Sequence, residues 1–315
     1  NEKEGSISNN KLVIDQTLPS INYVSYKSDF TDTTLATVGH EIILTLKTDE
    51  LIQPPIITIA GQSATISDMG GGKWVATYAM QNGDSDGVIP FEVEGILDLS
   101  GNPNSGTAAT TDGSMVIFDN TKPELDIVRI ASNNQDSTWA KVGDMISINF
   151  IANELLISQS VNLNGQAMTI SDLGSEKYLA QYEMTDLDTE GQLSFEIFIT
   201  DSVGLEGDPI ITTSNSSQVI FDKTLPILNQ VNIQSNNQNN SSIAITADNV
   251  TLTFTPDEPL LADSIVVTIA NEEVTINEDG SGYVATLTIS GNEPGGILPF
   301  TIDFVDRASN RGIQV

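Results

Sequence analysis

The sequence repeats itself three times at intervals of about one hundred residues, and this repeat limits the possible folds more than any other feature. The strings VIDQTLP, VIFDNTKP and VIFDKTLP each carry an aspartate, and these are Asp15, Asp119 and Asp222. Other strings keep the same register, such as KTDE, IANE and TPDE in the three copies. A period of this length is that of a whole domain and far exceeds the repeat of a solenoid.

Each copy consists of short alternating segments that are typical of β-strands. In the middle copy LDIVRIA and MISINFIA alternate between apolar and polar residues, and Asn164-Gly165 predicts a hairpin turn. Seven short strands in about 100 residues are the number expected of an immunoglobulin-like sandwich. The sequence therefore predicts an all-β fold of three tandem immunoglobulin-like antiparallel β-sandwiches in an elongated array, with no helix longer than two turns.

The repeat also predicts the domain boundaries. Residues 1–12 are polar and form a leader or tether, and the three domains are residues 13–119, 120–222 and 223–315. The third copy lacks the long segment that ends in VIFD in the other copies, so its last strand is expected to be shortened. The string VID before the first copy resembles the end of such a strand, which predicts that a further immunoglobulin-like domain or an anchor flanks the chain.

Composition excludes several classes of function. The chain has 43 acidic and 12 basic residues, for a net charge of −31, which repels nucleic acids and anionic membranes. It has no cysteine, and therefore neither disulfides nor thiolate metal sites, and it has one histidine. No apolar run approaches the roughly 20 residues of a membrane-spanning helix, so direct membrane insertion is not expected.

Several recurring motifs resemble those of the bacterial immunoglobulin-like (cadherin-like) domains of large secreted and cell-surface proteins. They are D-x-T-x-P at the junctions, SNN…AKVGD, TIxGQ and D-x-x-G-N, although Leu205 replaces the asparagine of the last motif in the middle copy. The resemblance implies an extracellular or cell-surface stalk or adhesion-type protein whose junctions are often stiffened by calcium. It leaves open a module that binds a surface glycan or protein, or accessory domains of a larger extracellular hydrolase.

Carboxylates are the one reactive group present in quantity. Strand parity places Asp119, Glu154 and Asp201 at one end of the middle copy, and the turn with Asp84 and Asp86 faces them from the first copy. Calcium takes 6–8 oxygen ligands, which such a junction supplies. The same reasoning gives the remaining candidates, Asp15, Glu50 and Asp98 in the first copy and Asp186, Asp188, Asp222, Glu258 and Asp306 at the second junction. Ordinary solvated turns are the alternative.

Catalytic sites find little support in the sequence. His40 aligns with aspartates in the other two copies, which indicates an exposed strand start. Carboxylate pairs that hydrolyse glycosides need a cleft, which a sandwich does not readily offer. Trp74 aligns with Tyr178 and Tyr283 and so is expected to be a core aromatic. The sequence predicts a protein that is not an enzyme.

Overall fold

The computed structural model describes residues 14–280, 282–293 and 295–314. The predicted leader, residues 1–12, lies outside this part of the chain. The described residues form β-strands and a single 3₁₀ turn, Ala262–Ser264, and no helix among them is long and apolar enough to cross a membrane. The predicted fold class is confirmed, since three tandem antiparallel sandwiches succeed one another along the sequence.

Two compact units divide the chain. The first extends to Lys122 and includes Ser202–Leu205, and it contains the first sandwich. The second contains Pro123–Asp201 and the residues from Glu206 onward, and it includes the other two sandwiches.

The first sandwich consists of ten strands, most of them short. They are β1 (Ile21–Ser28), β2 (Leu35–Ala36), β3 (Glu41–Thr48), β4 (Ile56–Ile59), β5 (Gln62–Ser63), β6 (Thr65–Asp68), β7 (Lys73–Ala79), β8 (Gly87–Val88), β9 (Phe91–Glu94) and β10 (Ile117–Phe118). A four-stranded sheet has the order β1-β3-β7-β6, and two three-stranded sheets have the orders β5-β4-β9 and β2-β10-β8.

The second unit repeats this arrangement. Its first sandwich has β11 (Leu125–Ser132), β12 (Trp139–Ala140), β13 (Met145–Ala152), β14 (Leu156–Leu163), β15 (Gln166–Ala167), β16 (Thr169–Gly174), β17 (Lys177–Glu183), β18 (Gly191–Gln192), β19 (Phe195–Asp201) and β20 (Ile220–Phe221). The other has β21 (Leu228–Ser235), β22 (Asn249–Pro256), β23 (Val266–Ile269), β24 (Glu272–Glu273), β25 (Ile276–Asp279), β26 (Gly282–Thr288) and β27 (Phe300–Asp303).

Apolar residues at alternate positions form the core of each sandwich. In β3, Ile42, Leu44 and Leu46 are fully buried, while the residues between them are partly or fully exposed. They share one core with Ile57 of β4 and Val93 of β9, which belong to the other sheet. Successive side chains of a strand point to opposite faces, so this alternation places one face of each sheet in the core. Each such buried side chain contributes roughly 1.5–3 kcal/mol.

The hairpin expected at Asn164-Gly165 joins β14 to β15, with Leu163 opposite Gln166. Asn164 has φ +47° and Gly165 has φ +81°. A two-residue turn with both φ values positive matches the right-handed twist of the flanking strands, and Asn-Gly adopts it at low cost.

A short closing strand ends each of the first two sandwiches. The strand β10 pairs parallel with β2 and antiparallel with β8, and β20 does the same with β12 and β18. Phe118 and Phe221 of these strands are almost fully buried. Asp119 and Asp222 follow these strands directly, so the closing strand fixes the position of each junction aspartate.

Candidate metal centres

Three carboxylates meet at the start of the first sandwich. One oxygen from each of Asp15, Glu50 and Asp98 lies within 4.8 Å of the others. Asp15 precedes β1, Glu50 belongs to the turn after β3, and Asp98 follows β9. An isolated bridge between Ile52 and Asp98 joins the last two segments. The predicted grouping of a junction aspartate with two turn carboxylates is therefore present in this unit.

Asn102 orients the buried carboxylate of this cluster. The Asn102 backbone N–H donates to Asp98 Oδ1 at 2.8 Å, and its side-chain amide donates to Asp98 Oδ2 at 2.7 Å. Ser100 Oγ donates to Asp15 Oδ2 at 2.8 Å. Burial raises the pKa of Asp98, but the hydrogen bonds from the Asn102 side chain and from the backbone N–H groups of Asn102, Gly101 and Ser100 outweigh it and hold the pKa below its usual value. Asp98 is therefore an ionised carboxylate in a fixed orientation.

The second unit contains an equivalent cluster at Asp222, Glu258 and Asp306, again within 4.8 Å of one another. Asp306 is almost fully buried. Asn310 donates through its backbone N–H to Asp306 Oδ1 at 2.8 Å and through its side chain to Asp306 Oδ2 at 2.9 Å. The Asn310 side-chain amide also donates to the backbone oxygen of Asp222 at 2.9 Å. The asparagine four residues after the buried aspartate, in DLSGN of the first copy and DRASN of the third, thus has the same structural role in both clusters.

Desolvation and the neighbouring negative charges raise the pKa of the glutamate in each cluster. Desolvation and then the charges of Asp222 and Asp306 raise the pKa of Glu258 to about 7. Desolvation followed by the charges of Asp98 and Asp15 raises the pKa of Glu50. The carboxylates of each cluster therefore repel one another, and binding of a proton or a cation would reduce this repulsion.

The donor set suits a hard cation. Oxygens that share one calcium ion at 2.3–2.6 Å lie no more than about 5 Å apart, and those of each cluster meet this limit. In the first cluster Glu50 Oε1 is buried and has no hydrogen-bond partner among the described residues. Buried oxygens usually have a partner, so this atom is placed as a ligand would be. Asp15, Glu50 and Asp98 could hold a metal ion, and so could Asp222, Glu258 and Asp306.

The carboxylates predicted at the first junction belong to different compact units, Asp119 to the first and Glu154 and Asp201 to the second. In the first unit the Asp119 backbone N–H donates to Ala36 O at 2.9 Å, and Asp119 Oδ1 accepts from Thr121 N at 3.0 Å. In the second unit the fully buried Asp201 of β19 lies opposite Leu156 of β14. The half-buried Glu154 precedes Leu156 by two residues. Their predicted convergence on calcium stays a prediction.

Two further predicted ligands are engaged by their own turns. Asp84 accepts from Tyr78 OH and from the Gln81 backbone N–H at 2.7 Å. Asp188 accepts from Tyr182 OH at 3.0 Å and from the backbone and hydroxyl of Thr185. Neither belongs to the two clusters described above. These contacts stabilise the turns, and a metal-binding role for either residue stays a prediction.

Asp86 and Asp186 differ in what they contact. Asp86 accepts from the Asn120 backbone N–H at 2.8 Å and from the Thr121 hydroxyl, so it holds the segment after β10. The exposed Asp186 offers its backbone oxygen to Lys223 Nζ at 2.8 Å. Calcium ligation by these two also stays a prediction.

Glu190 is a residue that the sequence reasoning missed. It accepts from the Lys223 backbone N–H and the Thr224 hydroxyl, both at 2.8 Å, and so repeats the contacts of Asp86. The hydrogen bond from Thr224 comes first among the effects that lower the pKa of Glu190. In an alignment of GDSDG with LDTEG, Glu190 occupies the position of Asp86. This alignment could have identified Glu190 from the sequence.

Residues considered for catalysis or sugar binding have structural contacts. His40 Nδ1 lies 2.9 Å from Asp29 Oδ1, and its ring meets Phe30 edge-on. Trp74 is 6% exposed, which agrees with the expected core position. Tyr178 stacks on Phe150 with ring centroids 5.2 Å apart.

Comparison with solved structures identifies the fold. A structure from a study of host cell surface retention of a 1.5-MDa bacterial ice-binding adhesin has a TM-score of 0.54 and 15% sequence identity, with coverage of 95% of this chain and 96% of that chain. This chain is built of tandem immunoglobulin-like domains. No protein-family profile matches the sequence, and no curated protein matches it.

Two further structures resemble the immunoglobulin-like array less closely. A Ca²⁺-stabilised adhesin of an Antarctic bacterium has a TM-score of 0.42 and 14% identity, with coverage of 94% of this chain and 72% of that chain. Domains A168–A170 of titin have a TM-score of 0.37 and 11% identity, with coverage of 94% and 95% of the two chains.

Proposed function

We propose that this chain is a non-enzymatic segment of a bacterial cell-surface or secreted adhesion-type stalk, and that calcium stiffens its domain junctions. The observation that carries the proposal is the recurrence of one carboxylate cluster at equivalent places in the first and third sandwiches. In both clusters the equivalent asparagine supports the buried aspartate, and the glutamate has a raised pKa that a bound cation would offset.

Calcium would neutralise repulsion that the cluster stores. Asp222 follows β20, which closes the second sandwich, while Glu258 and Asp306 belong to the third. An ion bound to all three would tie the two sandwiches together at their linker. Asp15, Glu50 and Asp98 would hold a second ion, and by sequence equivalence Asp119, Glu154 and Asp201 are proposed for a third. The affinity expected of extracellular modules is about 10⁻⁴–10⁻³ M.

Direct contacts between the two sandwiches of the second unit support a linker of fixed geometry. The Asn134 side-chain amide donates to Ala308 O at 2.7 Å, and Lys141 Nζ donates to Ser309 O at 2.7 Å. Ala308 is fully buried. Pro226 in the linker adds to this because its ring fixes φ. A stalk needs such junctions, because free rotation would let the array collapse.

The charge suits an extracellular position. A net charge of −31 keeps the chain soluble and prevents self-association through unspecific contacts. A surface glycan or protein remains the proposed class of partner. An accessory role in a larger extracellular hydrolase is the second proposal. For the non-enzymatic proposal, we expect no activity when this chain is screened against glycosides, esters and peptides. An activity that is lost on one carboxylate substitution would contradict that proposal.

Calcium titration tests the proposed function. At about 10 mM calcium and a Kd of about 1 mM, each site adds about 1.4 kcal/mol of stability. We expect calcium to raise the melting temperature relative to EDTA, and Glu50→Gln and Glu258→Gln each to remove one site in isothermal titration calorimetry. Asp126→Asn, an exposed change in β11, is the matched control. Small-angle scattering should show larger dimensions with calcium. Identical melts and scattering in both buffers would contradict calcium stiffening.

A further inference from the structure

The segment Asp306–Asn310 of the third sandwich, named the DRASN loop after its sequence, takes part in two contacts at once. Asp306 at its start belongs to the carboxylate cluster. The backbone oxygens of Ala308 and Ser309 accept hydrogen bonds from side chains of the second sandwich, which lies in the same compact unit. Because one short loop carries both contacts, its position on the second sandwich also sets the position of Asp306.

The Asn134 side chain is held within its own sandwich and also grips the DRASN loop. Its amide nitrogen donates to Asp144 Oδ2 and to Ala308 O, both at 2.7 Å, and its amide oxygen accepts from Ser309 Oγ at 3.2 Å. Asp144 Oδ2 also accepts from the Lys141 backbone N–H at 2.8 Å, so one carboxylate anchors both residues that reach the loop. An amide that is bonded through its nitrogen and its oxygen has one favoured orientation.

Lys141 adds a charged donor to this contact. Its Nζ donates to Ser309 O at 2.7 Å, and the residue is half-buried. A hydrogen bond from an ammonium group is roughly twice as strong as one between neutral groups. Thr37 and Ile245 occupy the equivalent positions in the other two copies, and neither carries a charge. The lysine is therefore specific to the copy that contacts the DRASN loop.

The backbone of Ser309 is strained, and the contact with the second sandwich gives the reason. Ser309 has φ +67°, in the left-handed region that favours glycine. Glycines occupy the equivalent positions of the other copies, Gly101 with φ +96° and Gly204 with φ +89°. The serine adds the hydroxyl that donates to Asn134 Oδ1. A strained side chain where glycine serves elsewhere indicates a role for that side chain.

Charges on the two sandwiches are also complementary. Arg307 is the exposed member of the DRASN loop. Hydrogen bonds from Thr138 have the largest effect in lowering the pKa of Asp136, and the charge of Arg307 lowers it further. Opposite charges across a contact favour one relative orientation of the partners. None of these contacts uses the carboxylate oxygens of the cluster, so they do not require a bound ion.

We propose that Asn134 and Lys141 are positioning residues that latch the DRASN loop to the second sandwich, so that this junction has its geometry before calcium binds at Asp222, Glu258 and Asp306. The part that concerns the ion rests on the proposed function, whereas the latch itself does not. Without the latch, the ion would have to order the junction, and its apparent affinity would fall with the fraction of chains in the competent geometry. By the same linkage, a bound ion favours the latched state.

Distances between spin labels on the two sandwiches test the latch in the absence of calcium. The chain has no cysteine, so Glu196→Cys in β19 and Thr286→Cys in β26, both at exposed positions, provide one label on each sandwich. In EDTA we expect electron paramagnetic resonance to give a narrow distance distribution for this labelled chain. Combining Asn134→Leu with Lys141→Met, the latch variant, should broaden the distribution.

A control with the same chemical changes separates the latch from a general loss of polar groups. Asn149→Leu in β13 combined with Lys177→Met in β17 alters exposed positions of the same sandwich and should keep the distribution narrow. Lys141→Arg retains a cationic donor and should also keep it narrow. Circular dichroism of the latch variant should match that of the unsubstituted chain, which shows that the broadening does not come from unfolding.

Calorimetry tests the coupling between the latch and the cation site. The signal of this site is the one that Glu258→Gln removes. In the latch variant its Kd should rise about fivefold or more, whereas the control with Asn149→Leu and Lys177→Met should keep its Kd. Calcium should also narrow the distance distribution of the latch variant, because the bound ion favours the latched geometry.

The outcomes distinguish failure of the latch from failure of the proposed function. A broad distribution for the unsubstituted junction in EDTA, or no broadening in the latch variant, would overturn the latch. Broadening with an unchanged Kd for calcium would overturn the positioning role. A narrow distribution in EDTA that broadens in the latch variant, together with no calcium binding in any variant, would support the latch and contradict the proposed function.

Discussion

Asn310 fixes both oxygens of the buried Asp306 carboxylate, through its backbone N–H at 2.8 Å and its side-chain amide at 2.9 Å. The same side chain reaches Asp222 O at 2.9 Å and so links two members of one cluster. A carboxylate oriented in this way presents its remaining lone pairs in a defined direction. The contact between Asn310 and Asp306 is therefore the structural basis of the proposed cation site in the second unit.

Replacing Asn310 with leucine should weaken this site. Asn310→Leu removes the side-chain hydrogen bonds to Asp306 and to Asp222 O, and a hydrogen bond to a charged group contributes about 1.5–3 kcal/mol. We expect a loss of that order in urea denaturation and weaker calcium binding in calorimetry. Asn229→Leu on the exposed face of β21 should change stability by less than about 0.5 kcal/mol. Unchanged calcium affinity in Asn310→Leu would argue against the orienting role.

The raised pKa of Glu258 predicts a specific dependence of stability on pH. In the calcium-free protein its pKa of about 7 lies above the unfolded value of 4.5, so folding favours the protonated form. The contribution is complete below about pH 4.5 and is lost as pH rises through 7. Glu258→Gln should remove this dependence and, in EDTA at pH 8, should melt higher than the unsubstituted chain.

Calcium should bind more tightly to the cluster of Asp222, Glu258 and Asp306 as the pH rises. Since the ion competes with the proton on Glu258, the apparent affinity should fall up to about tenfold per pH unit below 7. Calorimetry at pH 8 and pH 6 measures the difference. Equal affinity of the Asp222 cluster at both values would contradict a charged Glu258 ligand.

Asp188 provides a test that separates turn stabilisation from metal binding. Asp188→Ala removes hydrogen bonds from Tyr182 OH and Thr185, and a loss of about 1–3 kcal/mol is expected in thermal or urea unfolding. If its carboxylate acts only within the turn, calcium affinity should be unchanged. Asp186→Ala, at the exposed position two residues earlier, is the control for stability. Loss of calcium binding in Asp188→Ala would instead support the ligand role predicted from the sequence.

Two glycines with nearly the same backbone conformation allow a paired test of packing in the first sandwich. Gly106 has φ +75° and Gly113 has φ +74°, so alanine at either position incurs about 1–2 kcal/mol of left-handed strain. At Gly113 the new Cβ meets open space, but at Gly106 it collides with the Val93 carbonyl oxygen. Gly106→Ala should therefore cost about 3 kcal/mol or more. Equal losses would show that the approach to Val93 is not tight.

The repeat made the fold and the cluster positions accessible from sequence. Landmarks such as Asp15 and Asp222 recur in register, and strand parity sends alternate turns to the same end of a sandwich, so carboxylates far apart in sequence could be grouped. The same parity also proposed Asp84 and Asp188 as ligands, but the structure shows their carboxylates bonded within their own turns. Parity gives the end of a sandwich at which a residue lies, but not the direction of its side chain.

Sequence alone determined the strand pattern, because alternation of apolar residues depends only on the two-residue period of a strand. It also determined the excess of carboxylates at the turns. Only the tertiary structure decided which carboxylates lose solvent and meet, since the raised pKa of Glu258 arises from desolvation and from charges that separate segments of the chain bring together.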